Sequence, residues 1–227
     1  MLLDSVQIGA NGDLADAVAT YTKLLGVAPV VLATGAQRFQ LRRGAIELER
    51  GELGVHSLCF VGGKDECAAW PTDVDGFHGL DIRVAPQLPL PRDEGATTTE
   101  AMRAIDHVVI NTPDLDRAIA LWRDRLGVRL ALDRKFPQRA LRICFFRSAD
   151  MTLEFVSSLP PPPDRSGPDR FYGIAYEVTD LVACRERLLR ADLDVSEIRP
   201  GNKRGTRVAT VRSGTAGVAT LLIEPVQ

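Results

Sequence analysis

Cysteine is scarce in this chain. Only Cys59, Cys67, Cys144 and Cys184 occur in 227 residues, and no two of them stand in CxxC spacing. So sparse a set supports neither a disulfide framework nor a thiolate zinc site. Its plain reading is a set of buried thiols in a reducing cytoplasm. No cysteine has a paired histidine motif, so a catalytic thiol is not indicated. A charge excess of either sign is also missing. The 28 basic and 30 acidic residues leave a net charge of −2, which gives nucleic acid no electrostatic reason to bind. No apolar run reaches the ~18 residues of a membrane span. The start, Met1-Leu2-Leu3-Asp4, has neither a basic n-region nor a long apolar h-region, so it does not read as a signal peptide.

What is present is an ordinary globular composition, 45% hydrophobic and 26% charged, with enough length for two domains of about 110 residues. The sequence also repeats itself. Leu3-Asp4-Ser5-Val6-Gln7-Ile8, Asp13-Leu14 and Leu25-Gly26-Val27 recur as Ile105-Asp106-His107-Val108-Val109-Ile110, Asp114-Leu115 and Leu126-Gly127-Val128. Three short apolar runs follow each Leu-Gly. They end in Ala45-Ile46-Glu47-Leu48 and in Met151-Thr152-Leu153-Glu154-Phe155-Val156.

The physical reading of each copy is a strand, a helix and three strands. The β-branched start suits a strand. Asp114 is placed to cap a helix whose apolar face is Leu115, Ile119, Leu121, Trp122 and Leu126. Gly26 and Gly127 are placed to end the helices. A looser unit follows, with strands over 171–178, 195–198, 207–212 and 220–224 and a helix from Asp180-Leu181 through Leu189. Another, over 55–84, is cut short, with one or two strands missing. The spacing therefore predicts an α+β protein of tandem βαβββ units forming two cupped mixed sheets. Residues 1–84 make a degenerate N-terminal pair and 85–103 a Pro- and Thr-rich linker. Residues 104–227 make a complete C-terminal pair holding the candidate pocket.

Paired βαβββ units resemble the vicinal oxygen chelate superfamily, which includes glyoxalases, extradiol dioxygenases, epimerases and bleomycin-resistance proteins. The resemblance rests on Ile105 to Ile110, Asp114-Leu115, Leu126-Gly127, Thr152-Leu153-Glu154 and Leu222-Ile223-Glu224-Pro225. It implies a metal held by the histidine of each unit's first strand and the glutamate of its last. In the C-terminal half those positions fall on His107, Glu154, Gly173 and Glu224, so His107, Glu154 and Glu224 are the implied metal ligands. One imidazole and two carboxylates suit Fe, Mn, Zn, Ni or Co. Glu154 or Glu224 is the implied catalytic base.

The N-terminal counterparts Ser5, Glu47 and Ser57 make a poor metal set, and His56 lies one residue out of register. The same three C-terminal residues also have a purely structural reading, with the acids paired to arginines such as Arg142 or Arg212. Tyr21 and Trp122 read as core. The polar stretch Arg199 to Arg207 reads either as a clamp for an acidic ligand or as an exposed turn.

The resemblance implies a metal-dependent lyase or isomerase acting on a small oxygen-rich molecule. A metal-free small-molecule-binding or resistance protein and an extradiol-type dioxygenase stand as alternatives. Expected partners are a small-molecule ligand alone, with no nucleic acid or membrane, in a monomer or homodimer.

Overall fold

A computed structural model describes residues 1–86, 98–149 and 151–225. Four segments of strand and helix follow one another. The first holds β1 (Leu2–Ala10), α1 (Leu14–Leu25), β2 (Val30–Val31), β3 (Gln37–Gln40) and β4 (Ala45–Arg50). The second holds β5 (Gly54–Gly62), α2 (Lys64–Ala68) and β6 (Asp81–Pro86). The third holds β7 (Met102–Asn111), α3 (Leu115–Ile119), β8 (Arg129–Phe136), β9 (Leu141–Ser148) and β10 (Met151–Ser158). The fourth holds β11 (Arg170–Val178), α4 (Leu181–Arg190), β12 (Arg199–Pro200), β13 (Thr206–Val211) and β14 (Ala219–Pro225).

The strands make two mixed sheets, ordered β2-β3-β4-β1-β5-β6 and β12-β13-β14-β11-β7-β10-β9-β8. In each full segment the first strand runs parallel to the last, and the last runs antiparallel to the one before it. This is the α+β architecture that the repeat predicts. The second segment keeps one helix of five residues and two strands among the described residues, which matches its short length. Most of the expected linker, residues 87–97, lies outside the described residues.

Local chemistry explains the helix ends. Asp13, Asp114 and Asp180 each sit before a helix and accept hydrogen bonds from its first backbone N–H groups, donors that would otherwise lack partners. Gly26 ends α1 at φ 75°, a left-handed conformation that costs glycine little. The helix after β7 is regular only to Ile119. It then widens into a π-helical turn over Ala120–Arg125, where the Leu126 N–H donates to the Leu121 carbonyl at 3.0 Å. In place of the expected strand over 195–198, only Val195 makes a bridge, to Val211, and the short β12 begins at Arg199.

The contacts divide into two compact units. One lies within Met1–Asp4, Ser57–Pro89 and His107–Tyr172, the other within Ser5–His56, Leu90–Asp106 and Gly173–Gln227. In the first, the Trp122 ring packs against those of Trp70, Phe77, Phe146 and Phe155, with centroids 5.7–6.4 Å apart. In the second, Tyr21 touches Phe39 and donates from its hydroxyl to the Thr215 carbonyl at 2.9 Å. Tyr21 and Trp122 are thus core residues, as expected. The cysteines are free; Cys144 and Cys184 are buried. Burial pushes the Cys144 thiol up to about 12 and also raises that of Cys184. Both therefore stay protonated and poorly nucleophilic at neutral pH.

Candidate functional site

Strand alternation decides which side chains meet. In the third segment Leu153 and Phe155 are fully buried on the side of the sheet that carries α3, where Phe155 meets Trp122. Glu154 therefore faces the other side. It pairs in register with Val109 of the parallel strand β7, which shares a face with His107. The two strands thus bring His107 and Glu154 together, with Nε2 3.2 Å from Oε2. Both side chains are sheltered, at 12% and 17% exposure. An imidazole beside a carboxylate can hold that carboxylate in place and can exchange a proton with it.

Glu224 lies differently. In β14 the fully buried Leu222 marks the helix-bearing side, and Glu224 shares its parity. Its Oε1 accepts from the backbone N–H of Leu181, the first residue of α4, at 3.5 Å. Its Oε2 accepts from Arg207 Nε at 2.6 Å, an arginine directly across the β13–β14 ladder. Gly173 pairs with Ala219, so Gly173 shares a face with Ala219, Leu221 and Ile223, not with Glu224. Glu224 and Gly173 are therefore on opposite faces of one sheet. Gly173 itself is a matter of space. A Cβ there would stand 2.4 Å from the Ala219 carbonyl oxygen, so the position has no room for an imidazole.

The N-terminal counterparts keep the parity of Glu154 and change the partner. Glu47 faces away from the α1 side, which Phe39 and Ile46 occupy. Arg38, opposite it in the β3–β4 ladder, donates to its Oε1 at 2.6 Å, and Gln7 donates to its Oε2 at 3.2 Å. Ser5 is buried, and its hydroxyl has no hydrogen-bond partner among the described residues. His56 turns to the Glu52 carbonyl, at 2.7 Å.

The arginine partners that the sequence suggested are committed elsewhere. Arg142 forks onto Asp133 at 2.9 and 2.7 Å and reaches Asp116 at 2.7 Å. Arg212 reaches Asp194 at 3.4 Å. Sequence reasoning missed Arg207 and Arg38, although each lies directly across a hairpin from its glutamate. Arg207 also accounts for part of the polar stretch 199–207. The rest is a tight turn, with Gly201 N–H bonded to the Thr206 carbonyl at 2.9 Å.

These placements test the implied metal set. The donors brought together are one imidazole and one carboxylate. The third expected donor is held by Arg207, and the fourth position has no side chain. Among the described residues no three His, Cys, Asp or Glu side chains group as a metal set. Within its own unit Glu224 is thus taken up by Arg207 and the Leu181 N–H, whereas His107 and Glu154 stand side by side.

Residues 106–210 match the family described as Glyoxalase/Bleomycin resistance protein/Dioxygenase superfamily. A curated relative, the ethylmalonyl-CoA/methylmalonyl-CoA epimerase of Cereibacter sphaeroides, is 28% identical over 93 residues, 38% of this chain and 69% of the relative. Among solved structures, the methylmalonyl-CoA epimerase from Mycobacterium tuberculosis is 23% identical with a TM-score of 0.48, over 58% of this chain and 93% of that one. The protein BH1468 from Bacillus halodurans is 18% identical with a TM-score of 0.45, over 54% and 94%.

Proposed function

We propose that the chain, whose residues 106–210 match the Glyoxalase/Bleomycin resistance protein/Dioxygenase superfamily, is an isomerase or lyase that removes a proton from carbon next to a carbonyl. Glu154 is the base and His107 its partner. The observation that carries this reading is the 3.2 Å contact between them on the face of the third segment away from α3. In the proposed step the C–H proton passes to the Glu154 carboxylate, and the C–H electron pair moves to the carbonyl oxygen as an enolate. A proton taken from water on the other face of that carbon gives the epimer, and the hydroxide left behind is neutralised by the protonated Glu154; in the lyase reaction the enolate pair instead forms a C=C bond as the group on the neighbouring carbon leaves with its bonding pair. His107 holds the carboxylate and takes up or returns charge as the proton moves. The step as written uses these two side chains alone.

The relative's printed name makes methylmalonyl-CoA and ethylmalonyl-CoA the first substrates to try. The half comprising residues 1–84 serves as scaffold in this reading, since its only matching acid, Glu47, is neutralised by Arg38.

The test is exchange of the α-hydrogen in deuterated water, followed by proton NMR, with and without added Co, Mn or Zn ions. Wild-type protein exchanges the hydrogen. Glu154→Gln slows exchange by about 10²–10⁴-fold, the usual contribution of a general base. Exchange that survives Glu154→Gln unchanged contradicts the assignment. Saturable binding of the thioesters with no exchange under any condition points instead to the binding-protein alternative.

A further inference from the structure

The first unit contains a pocket of about 240 Å³ that neither His107 nor Glu154 lines. It lies where the C-terminal ends of β7 and β10 meet the start of β11. Its polar wall is Asn111, Thr112, Ser157, Ser158 and Arg170, and its apolar wall includes Pro113 and Val156. Among the described residues, Arg170 is the only charged one lining it. Arg170 is exposed, and no described residue forms an ion pair or side-chain hydrogen bond with it. The neighbouring acid does not cancel that charge. Asp169 is buried and accepts from Arg117 at 2.7 Å.

The second observation is Ser157. The residue is 6% exposed, and its hydroxyl is buried without a hydrogen-bond partner among the described residues. An unsatisfied buried hydroxyl is costly unless something outside the fold completes it.

From these features we infer that the pocket binds a small oxyanion, a carboxylate or phosphate group. An arginine with no acid beside it fixes the sign of the ligand, and its fork matches the geometry of such groups. The Ser157 and Ser158 hydroxyls and the Asn111 amide supply further donors, whereas the Thr112 hydroxyl already donates to the Asp114 carbonyl. At ~30 Å³ per water-sized share of volume, the pocket holds a group of a few heavy atoms rather than a nucleotide.

The oxyanion has two possible sources, a free small anion or the anionic end of the substrate proposed above. The second rests on that proposal. Val156 shares the face of Glu154 and follows it by two residues, so it lies about 7 Å further along the strand. Ser157 has the opposite parity, so a substrate held at Glu154 would meet the pocket at its Val156 edge, at the end of the strand.

The experiment is a titration of the whole protein with inorganic phosphate and with succinate at constant ionic strength. It is read by backbone amide NMR shifts. Saturable shifts are expected at Asn111, Ser157, Ser158 and Arg170. Arg170→Gln should weaken binding at least about tenfold, and Ser157→Ala should weaken it by a smaller factor. Absence of saturable shifts, or unchanged binding in Arg170→Gln, overturns the inference.

The exchange assay separates the two sources. If the anion belongs to the substrate, phosphate competes with the thioester, and Arg170→Gln raises KM with little change in kcat. If the anion is a separate ligand, binding saturates and exchange does not respond. The titration needs no activity, so it still tests the pocket if the proposed reaction fails.

Discussion

Three hairpins of this chain carry a glutamate on their last strand, and what stands opposite sets them apart. Across β3–β4 the partner of Glu47 is Arg38, and across β13–β14 the partner of Glu224 is Arg207. Across β9–β10 the residue opposite Glu154 is Phe145. Two carboxylates thus pair with an arginine of the antiparallel neighbour, while the third meets His107 of the parallel neighbour β7. The comparison teaches that a glutamate at the repeat's last strand is not by itself a functional group. The cross-strand neighbour decides whether its charge is used up in the sheet or remains for chemistry.

Changing that neighbour should have a large effect. Phe145→Arg gives Glu154 the partner that Glu47 and Glu224 already have. The variant should fold, because two hairpins of the same chain accept an arginine there, and α-hydrogen exchange should fall at least about tenfold. Unchanged exchange in a folded Phe145→Arg variant would break the comparison.

The reverse change at the neutralised sites acts on stability. Arg207→Leu leaves the Glu224 carboxylate, 12% exposed, without its cation. Breaking a buried pair costs ~3–5 kcal/mol. Arg207 is itself 42% exposed, so solvent screening reduces this to about 1–2 kcal/mol. Chemical denaturation should show the loss, and the same loss in Glu224→Gln would tie it to the pair.

The smallest effect concerns pH. The Arg142 guanidinium beside Asp133 holds its carboxyl below the ordinary range. A folded value below the unfolded one adds stability that is fully present above the unfolded value, about 3.9. That stability is lost as pH falls through the lower folded value. Asp133→Asn should therefore cost under about 1 kcal/mol at pH 7, given the pair's exposure, and the difference should vanish in acid. A difference that grows on acidification would reverse the sign.

Much of the fold was legible because its signals are local. Asp13, Asp114 and Asp180 announce helix starts by residue type, and Gly26 announces a stop. The clean alternation of Met151-Thr152-Leu153-Glu154-Phe155 shows which way Glu154 points. Glu224 was not legible in the same way. Leu221, Leu222 and Ile223 precede it without alternation, so the sequence pattern leaves its face undetermined, and one residue of register turns a side chain to the other side. The hairpin partners were equally hidden, because register depends on turn geometry that composition does not specify. The π-helical turn after Ile119 keeps the same apolar residues that a regular helix would bury, so periodicity passes over it. The pocket at Ser157 and Arg170 joins segments distant in sequence, and no motif marks it.

The central claim is that Glu154 alone of the three glutamates is reactive. Its most direct test is α-hydrogen exchange measured side by side in Glu47→Gln, Glu154→Gln and Glu224→Gln, each shown to be folded. The account predicts loss of exchange in Glu154→Gln and rates within a few-fold of wild type in the other two. Equal rates in all three, or a loss confined to Glu224→Gln, would contradict it.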